Sequence, residues 1–155
     1  MTVETKLALS AEEVRSFSTT NNEPAAFADF RVAAIEKATT LELPKPDRTN
    51  ISKWNFIDFP THTVESAPFA SLDEVPAEVK AVIDAETQEN LYIQRNNTPA
   101  FIKVSKELTD KGVIFTDIQT AIREHADLVE KYFMTTAVKV DEHKLTAYHA
   151  ALVNG

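Results

Sequence analysis

The stretch DKGVIFTDIQTAIREHADLVE carries acids and an imidazole able to do acid/base or metal chemistry, of which Asp117, Glu124, His125 and Asp127 form the candidate cluster. Carboxylates and an imidazole converging beside a sheet can share a proton or hold a divalent cation. Their spacing opposes convergence. Asp117 and Glu124 stand seven residues apart and can share one helix face, but His125 follows one residue later and points about 100° away. His125 and Asp127 meet on one metal only if the helix breaks between them, and no HExxH pair is present. Spacing instead supports a helix cap for Asp117 and a helix-end imidazole for His125. His143 and His149 are six apart, not the four that put two ligands on one face, and His62 stands alone in FPTHTV. No serine or threonine lies in a recognisable nucleophile turn. No catalytic, cofactor-binding or metal-binding residue is assigned from these patterns, and the expectation is a segment that is not an enzyme.

Composition removes further chemistries. The chain has no cysteine, so it offers no thiol nucleophile, disulfide, thiolate zinc site or cysteine-ligated cluster. It has two glycines, Gly112 and Gly155. That excludes a GxGxxG dinucleotide turn, a GxxxxGK phosphate loop, a GxSxG elbow and a glycine-bearing calcium loop. Net charge is −8, and between Glu65 and Glu89 seven acids face Lys80 alone. Such a segment repels nucleic acid and anionic lipid and reads as a solvated acidic face. The N-terminus lacks the basic flank and apolar core of a signal peptide, and no run approaches the ~20 apolar residues of a membrane span. A soluble cytoplasmic protein is expected, and at 155 residues a single domain.

The elements that must position these residues follow from periodicity. Ser10 and Glu13 fit a capping box that starts a helix over 11–20. NNEP breaks it, with Pro24 at the first position of a second helix. In AAFADFRVAAIEKATTL an apolar stripe of Phe27, Phe30, Ala34, Ile35 and Ala38 recurs at helical spacing, with Arg31, Glu36 and Lys37 expected largely off it. LPKPDRTNISKWNFIDFP reads as an extended segment laid down by buried aromatic anchors, Trp54, Phe56 and Phe59. A short helix is expected near PAEVKAVIDAET.

NLYIQ, AFIKVS and GVIFT read as three strands of a small antiparallel sheet. LTDKG is either a turn or a single helical turn closed by Gly112. Thr116 or Asp117 can cap a helix over 118–124, and 126–133 places Leu128, Tyr132, Val129 and Phe133 on an apolar face. HKLTAYHAALVNG is a last helix with Leu145, Tyr148, Ala151 and Leu152 aligned. The class is therefore α+β: a helical pair over 1–42, an extended and acidic segment over 43–89, then a small sheet and C-terminal helices over 90–155.

Three blocks carry a resemblance. FRVAAIEKATTLELPKPDRTNISKWNF, DKGVIFTDIQTAIREHADLVEKYF and HKLTAYHAALVNG, in that order, resemble the N-terminal region of SufD in the SufB/SufD family of iron–sulfur cluster assembly components. The likeness runs from about Phe17 to the C-terminus. It implies a scaffold component acting with SufB and the ATPase SufC. In that family the chain continues into a right-handed parallel β-helix and a C-terminal helical region that contacts SufC. Gly155 falls where the β-helix would begin, so an N-terminal piece of a longer protein is expected. The residues tied to cluster assembly lie in that β-helical core, so the resemblance carries no functional residue and no cofactor onto this sequence.

Two departures stand out. Family members often place tryptophan after the NEP turn, where this chain has Ala25, Ala26 and Phe27, which should loosen the second helix. They often place proline after REH, where this chain has Ala126, which should let the two helical stretches run on as one. Two other readings compete with an accessory interaction domain, namely a metal-dependent hydrolase using the acids around Asp117 and Asp127, and an independent binding module using exposed Trp54 to Phe59 aromatics. Which partner the segment touches, and whether it self-associates, is open at this level.

Overall fold

A serine followed three residues later by glutamate starts the first helix, α1 (Ala11–Thr20). Glu13 N–H donates to Ser10 Oγ at 3.2 Å and Ser10 N–H donates to Glu13 Oε2 at 2.7 Å, so two amides lacking partners in the helix are satisfied reciprocally. The expected box and helix are both present. α2 (Ala25–Thr40) begins one residue later than expected, with Pro24 as its N-cap and the Pro24 carbonyl accepting from Phe27 and Ala28 N–H. The structure, a computed structural model, describes residues 9–56, 67–83 and 89–153.

The described residues hold seven α-helices, one 3-10 turn and two strands, which bears out the α+β class. Contacts divide the chain into two compact units, Met1–Pro60 with Ile118–Asn154, and Thr61–Asp117. In the first unit α2 packs on α1 and on α7 (Lys144–Leu152). Ala34 and Ala38 of α2 and Ala147, Ala150 and Ala151 of α7 are at most 1% exposed, joined by Val14, Ile35 and Tyr148. Small side chains on both faces let two helix backbones approach closely. Tyr148 and Ala151 are buried as expected, but Leu152 is 37% exposed. The contact face is built mainly on alanines, with Leu145 packed against it as expected, because close approach leaves little room for larger side chains.

A second cluster joins Phe27 to Ile122 of α5 (Ile118–Glu124) and Val129 of α6 (Ala126–Tyr132), with Phe30 and Phe133 packed beside it. The rings of Phe27, Phe30 and Phe133 lie 5.3 to 6.1 Å apart, centre to centre. Phe27 thus packs α2 tightly without the family's tryptophan. α5 and α6 do not run on as one helix. His125 stands between them with φ −133°, its carbonyl accepting from Leu128 and Val129 N–H. Val129 and Phe133 stand seven and eleven residues after Ile122 and continue its inward face, while Leu128 and Tyr132, expected on the apolar face, are 40% and 60% exposed.

In the second unit, Pro76 precedes α3 (Ala77–Lys80), as expected. β1 (Leu91–Arg95) pairs antiparallel with β2 (Thr98–Lys103) across Asn96, whose φ of +55° the side-chain amide tolerates. The register slips between Ile93 and Gln94, leaving Ala100 as the extra residue beside Pro99, which has no N–H to give the ladder. Ala100 is 1% exposed and its carbonyl accepts from Phe69 N–H at 2.7 Å.

The described sheet has two strands, not three. GVIFT is not a strand, because its ends are already committed. α4 (Lys106–Asp110) closes on Gly112 at φ +75°, with Gly112 N–H donating to Thr109 and Val113 N–H to Leu108. That is the Schellman closure, the helical alternative for LTDKG. α5 starts at Ile118, and the residues between closure and restart join no ladder among the described residues. Phe115 meets Tyr92 of β1 edge to face at 6.0 Å, yet Val113, Ile114 and Phe115 stay 43 to 47% exposed.

Candidate functional site

Among the described residues, the deepest polar constellation centres on Arg31. Residues 27, 31, 34, 35 and 38 fall on one helical stripe, and Arg31 is fully buried within it, contrary to its expected place off the apolar face. It is tolerated there because each guanidinium nitrogen finds an acceptor. Nε and Nη2 donate to the two carboxylate oxygens of Glu23 at 2.8 and 2.6 Å, a planar two-point pair. Nη1 donates to Ala151 O at 2.9 Å and Nη2 to Val153 O at 2.8 Å, carbonyls at the end of α7 that have no partner within the helix. The guanidinium also lies 5.1 Å from the Phe17 ring centre and 4.9 Å from that of Phe27. Both charged side chains are wholly buried. Four of its five N–H donors are used by the fold, so it locks α1, α2 and α7 together. The spacing of Arg31 from Phe27 and Ala34 was the sequence signal for this role; charge alone had argued against it.

The acids and the histidine are divided between the two units. Asp117 is buried and belongs to the second unit, whereas Glu124, His125 and Asp127 belong to the first. His125 makes the helix break and offers no side-chain cap bond. Among the described residues no group of three or more His, Asp or Glu is placed to hold a metal. In the second unit, burial first and the Asp117 carboxylate second push the Tyr92 hydroxyl above the ordinary tyrosine range. His143 lies before the last helix rather than in it. Its Nδ1 accepts from Thr146 N–H at 3.1 Å while His143 N–H donates to Thr146 Oγ1 at 3.1 Å, a capping box built with an imidazole. His149 is an exposed residue of α7 with its ring 6.3 Å from that of Phe133. His62 and Phe59 lie outside the described residues.

The loop expected to be held by buried aromatics is open to solvent. Trp54 is 53% exposed, and the buried anchor of the stretch is Ile51. Aliphatic Ile51 fills the space, and a turn closed by Trp54 N–H to Ile51 O leaves the indole outside. Residues Pro44–Ser52 bend around an open concavity of about 500 Å³. Among the described residues no helix is long and apolar enough to cross a membrane.

Comparison with known proteins places this architecture. The chain belongs to the SufB/SufD family of iron–sulfur cluster assembly proteins. Within that family it is 57% identical to the iron–sulfur cluster assembly protein SufD of Bacillus subtilis over 156 residues, covering all of this chain and 36% of that protein. Iron–sulfur cluster assembly SufBD family proteins of Staphylococcus aureus strains USA300 and COL are each 31% identical over 152 residues, covering 92% of this chain and 32% of theirs. The likeness to SufD extends over the whole chain, beyond the start expected near Phe17. The chain spans about a third of the length of these curated relatives. No protein-family model matches it. No solved structure matches it either.

Proposed function

We propose that this chain is an interaction domain of a SufD-like component of an iron–sulfur cluster assembly scaffold, acting with SufB and the ATPase SufC in the cytoplasm and contributing contacts rather than chemistry. The observation that carries the reading is 57% identity along the entire chain to a protein named for cluster assembly. The interior adds support. Arg31 and Glu23 are spent on each other and on helix ends, and His143 on a cap, so these groups serve architecture. The partners and the cluster chemistry enter from the family, and the clusters are cargo of the assembly rather than a resident group of this segment.

Co-purification tests it. A full-length relative is compared with a version lacking the region that matches this chain, each tagged and expressed with SufB and SufC. Loss of one partner, or slower cluster delivery to an acceptor protein, is the expected result. Unchanged complex formation and delivery would remove the contact role.

A further inference from the structure

Charge runs against the whole in one short stretch. The chain carries −8, yet between Pro44 and Trp54 three basic residues, Lys45, Arg48 and Lys53, meet a single acid, Asp47. Lys45 is engaged by Glu42 at 2.6 Å, which holds the Glu42 carboxyl below and lifts the Lys45 ammonium above their ordinary values. Arg48 and Lys53 are exposed and form no ion pair with a described residue. Arg48 borders the same open concavity, Lys53 and the exposed Trp54 follow it along the chain, and the Trp54 ring lies 6.1 Å from that of Phe56.

The loop is built rather than loose. Pro44 and Pro46 restrict its entry, the Asn50 carboxamide oxygen accepts from Ser52 N–H at 3.0 Å and Oγ at 2.7 Å, and Ile51 is buried beneath. A shape held in advance lowers the ordering cost of binding. Tryptophan and arginine are also the residue types that most often supply binding energy when water leaves an interface. Neither side chain is buried in the fold here.

Basic residues beside aromatics also suit single-stranded nucleic acid. A nucleic acid, however, brings a phosphate at every nucleotide, past the reach of this loop and into the field of a net acidic molecule. A peptide can concentrate its carboxylates where the cations are and lay uncharged residues over the rest of the acidic surface.

We infer that the Pro44–Trp54 loop is a docking site for an acidic, extended peptide segment of a partner protein, with Arg48 and Lys53 receiving carboxylates and Trp54 covering an adjacent apolar side chain. The inference rests on the chain being an interaction domain, and not on which proteins it meets. Charge complementarity selects the acidic segment, and the exposed indole selects an apolar residue within it.

Trp54 is the single tryptophan of the chain, so its fluorescence reads this loop alone. The 155-residue chain is titrated with a tryptophan-free peptide of Glu and Asp interspersed with Leu, with its Gln/Asn counterpart, and with oligothymidylate. Free protein should emit as an exposed indole, and the acidic peptide should shift that emission to the blue in a saturable, salt-sensitive manner. The double variant R48E/K53E should bind roughly tenfold or more weakly. Circular dichroism should leave its helices unchanged, since both side chains are exposed. Trp54→Phe, followed by anisotropy of a labelled peptide, should weaken binding separately from charge. No shift, equal binding of the neutral peptide, or preference for oligothymidylate would each overturn the inference. A negative result here leaves the co-purification test standing, and failure of co-purification leaves this one standing, so the two readings fail separately.

Discussion

The helical unit and the hairpin unit use apolar side chains in opposite ways. Among the described residues fifteen apolar side chains are buried, and only Val75 and Ala100 of these belong to the hairpin unit. The helical unit buries even an arginine. The hairpin unit, by contrast, leaves Val113, Ile114 and Phe115 nearly half exposed in succession. Burial therefore follows available partners more closely than residue type. Arg31 has a carboxylate, two carbonyls and two ring faces around it, whereas the Val113–Phe115 run lies between a helix closure and a helix start and has no ladder to join.

The largest effect should come from unpairing the buried charge. Arg31→Met leaves Glu23 without its guanidinium and two α7 carbonyls without a donor, and should cost about 3 to 5 kcal/mol. Urea denaturation checks this, and Glu23→Leu added to Arg31→Met should recover much of the loss, because two apolar groups no longer strand a charge. A loss below about 1 kcal/mol would mean that Arg31 is not the interior anchor its geometry indicates.

Removing the cap of α7 should matter less. His143→Ala deletes the Nδ1 acceptor for Thr146 N–H and should destabilise by about 1 kcal/mol, with Asn at this position retaining most of the stability. Thermal melts of the three proteins would rank them. Equal stability of the alanine variant would assign the cap to backbone geometry alone.

Ile114→Thr should fall within about 0.5 kcal/mol of the parent, as an exposed substitution away from caps and core. A loss above about 2 kcal/mol would show that the Val113–Phe115 run is buried in solution, and would erase the contrast between the units.

The last effect is confined to alkaline pH. Tyr92 has its hydroxyl pKa raised by burial and by Asp117. A raised folded pKa means that the stabilisation is complete below the unfolded tyrosine value of about 10 and is lost as pH rises through the folded value. Denaturation between pH 8 and 12 should therefore show Tyr92→Phe losing less stability than the parent as pH climbs, with no difference near neutrality. Parallel pH profiles would exclude this coupling.

Much of the fold was legible in residue order. The Ser10–Glu13 box, the α2 stripe, the helix start at Ile118 and the β1–β2 hairpin each depend on neighbours within four residues or on a short turn. Branched and aromatic residues in Val113–Phe115 carried the same local signal as a strand, and the signal failed because strand formation needs a partner chain segment. Leu128 and Tyr132 were assigned to the wrong face although the spacing of Ile122, Val129 and Phe133 marks the inward stripe, and no local rule required a break before Ala126.

The sequence by itself determined the family, the α+β class and the absence of every chemistry that requires cysteine or a glycine-rich loop, since these are written in residue identity and short-range spacing. Tertiary structure alone decided that Arg31 lies inside and Trp54 outside. The acceptors that make the guanidinium tolerable in the interior come partly from Ala151 and Val153, 120 and 122 residues away along the chain. Trp54 stays in solvent because Ile51 already fills the buried position beneath the loop. Hydrophobicity ranks side chains for burial, and the acceptors and space supplied by distant segments settle which ones are buried.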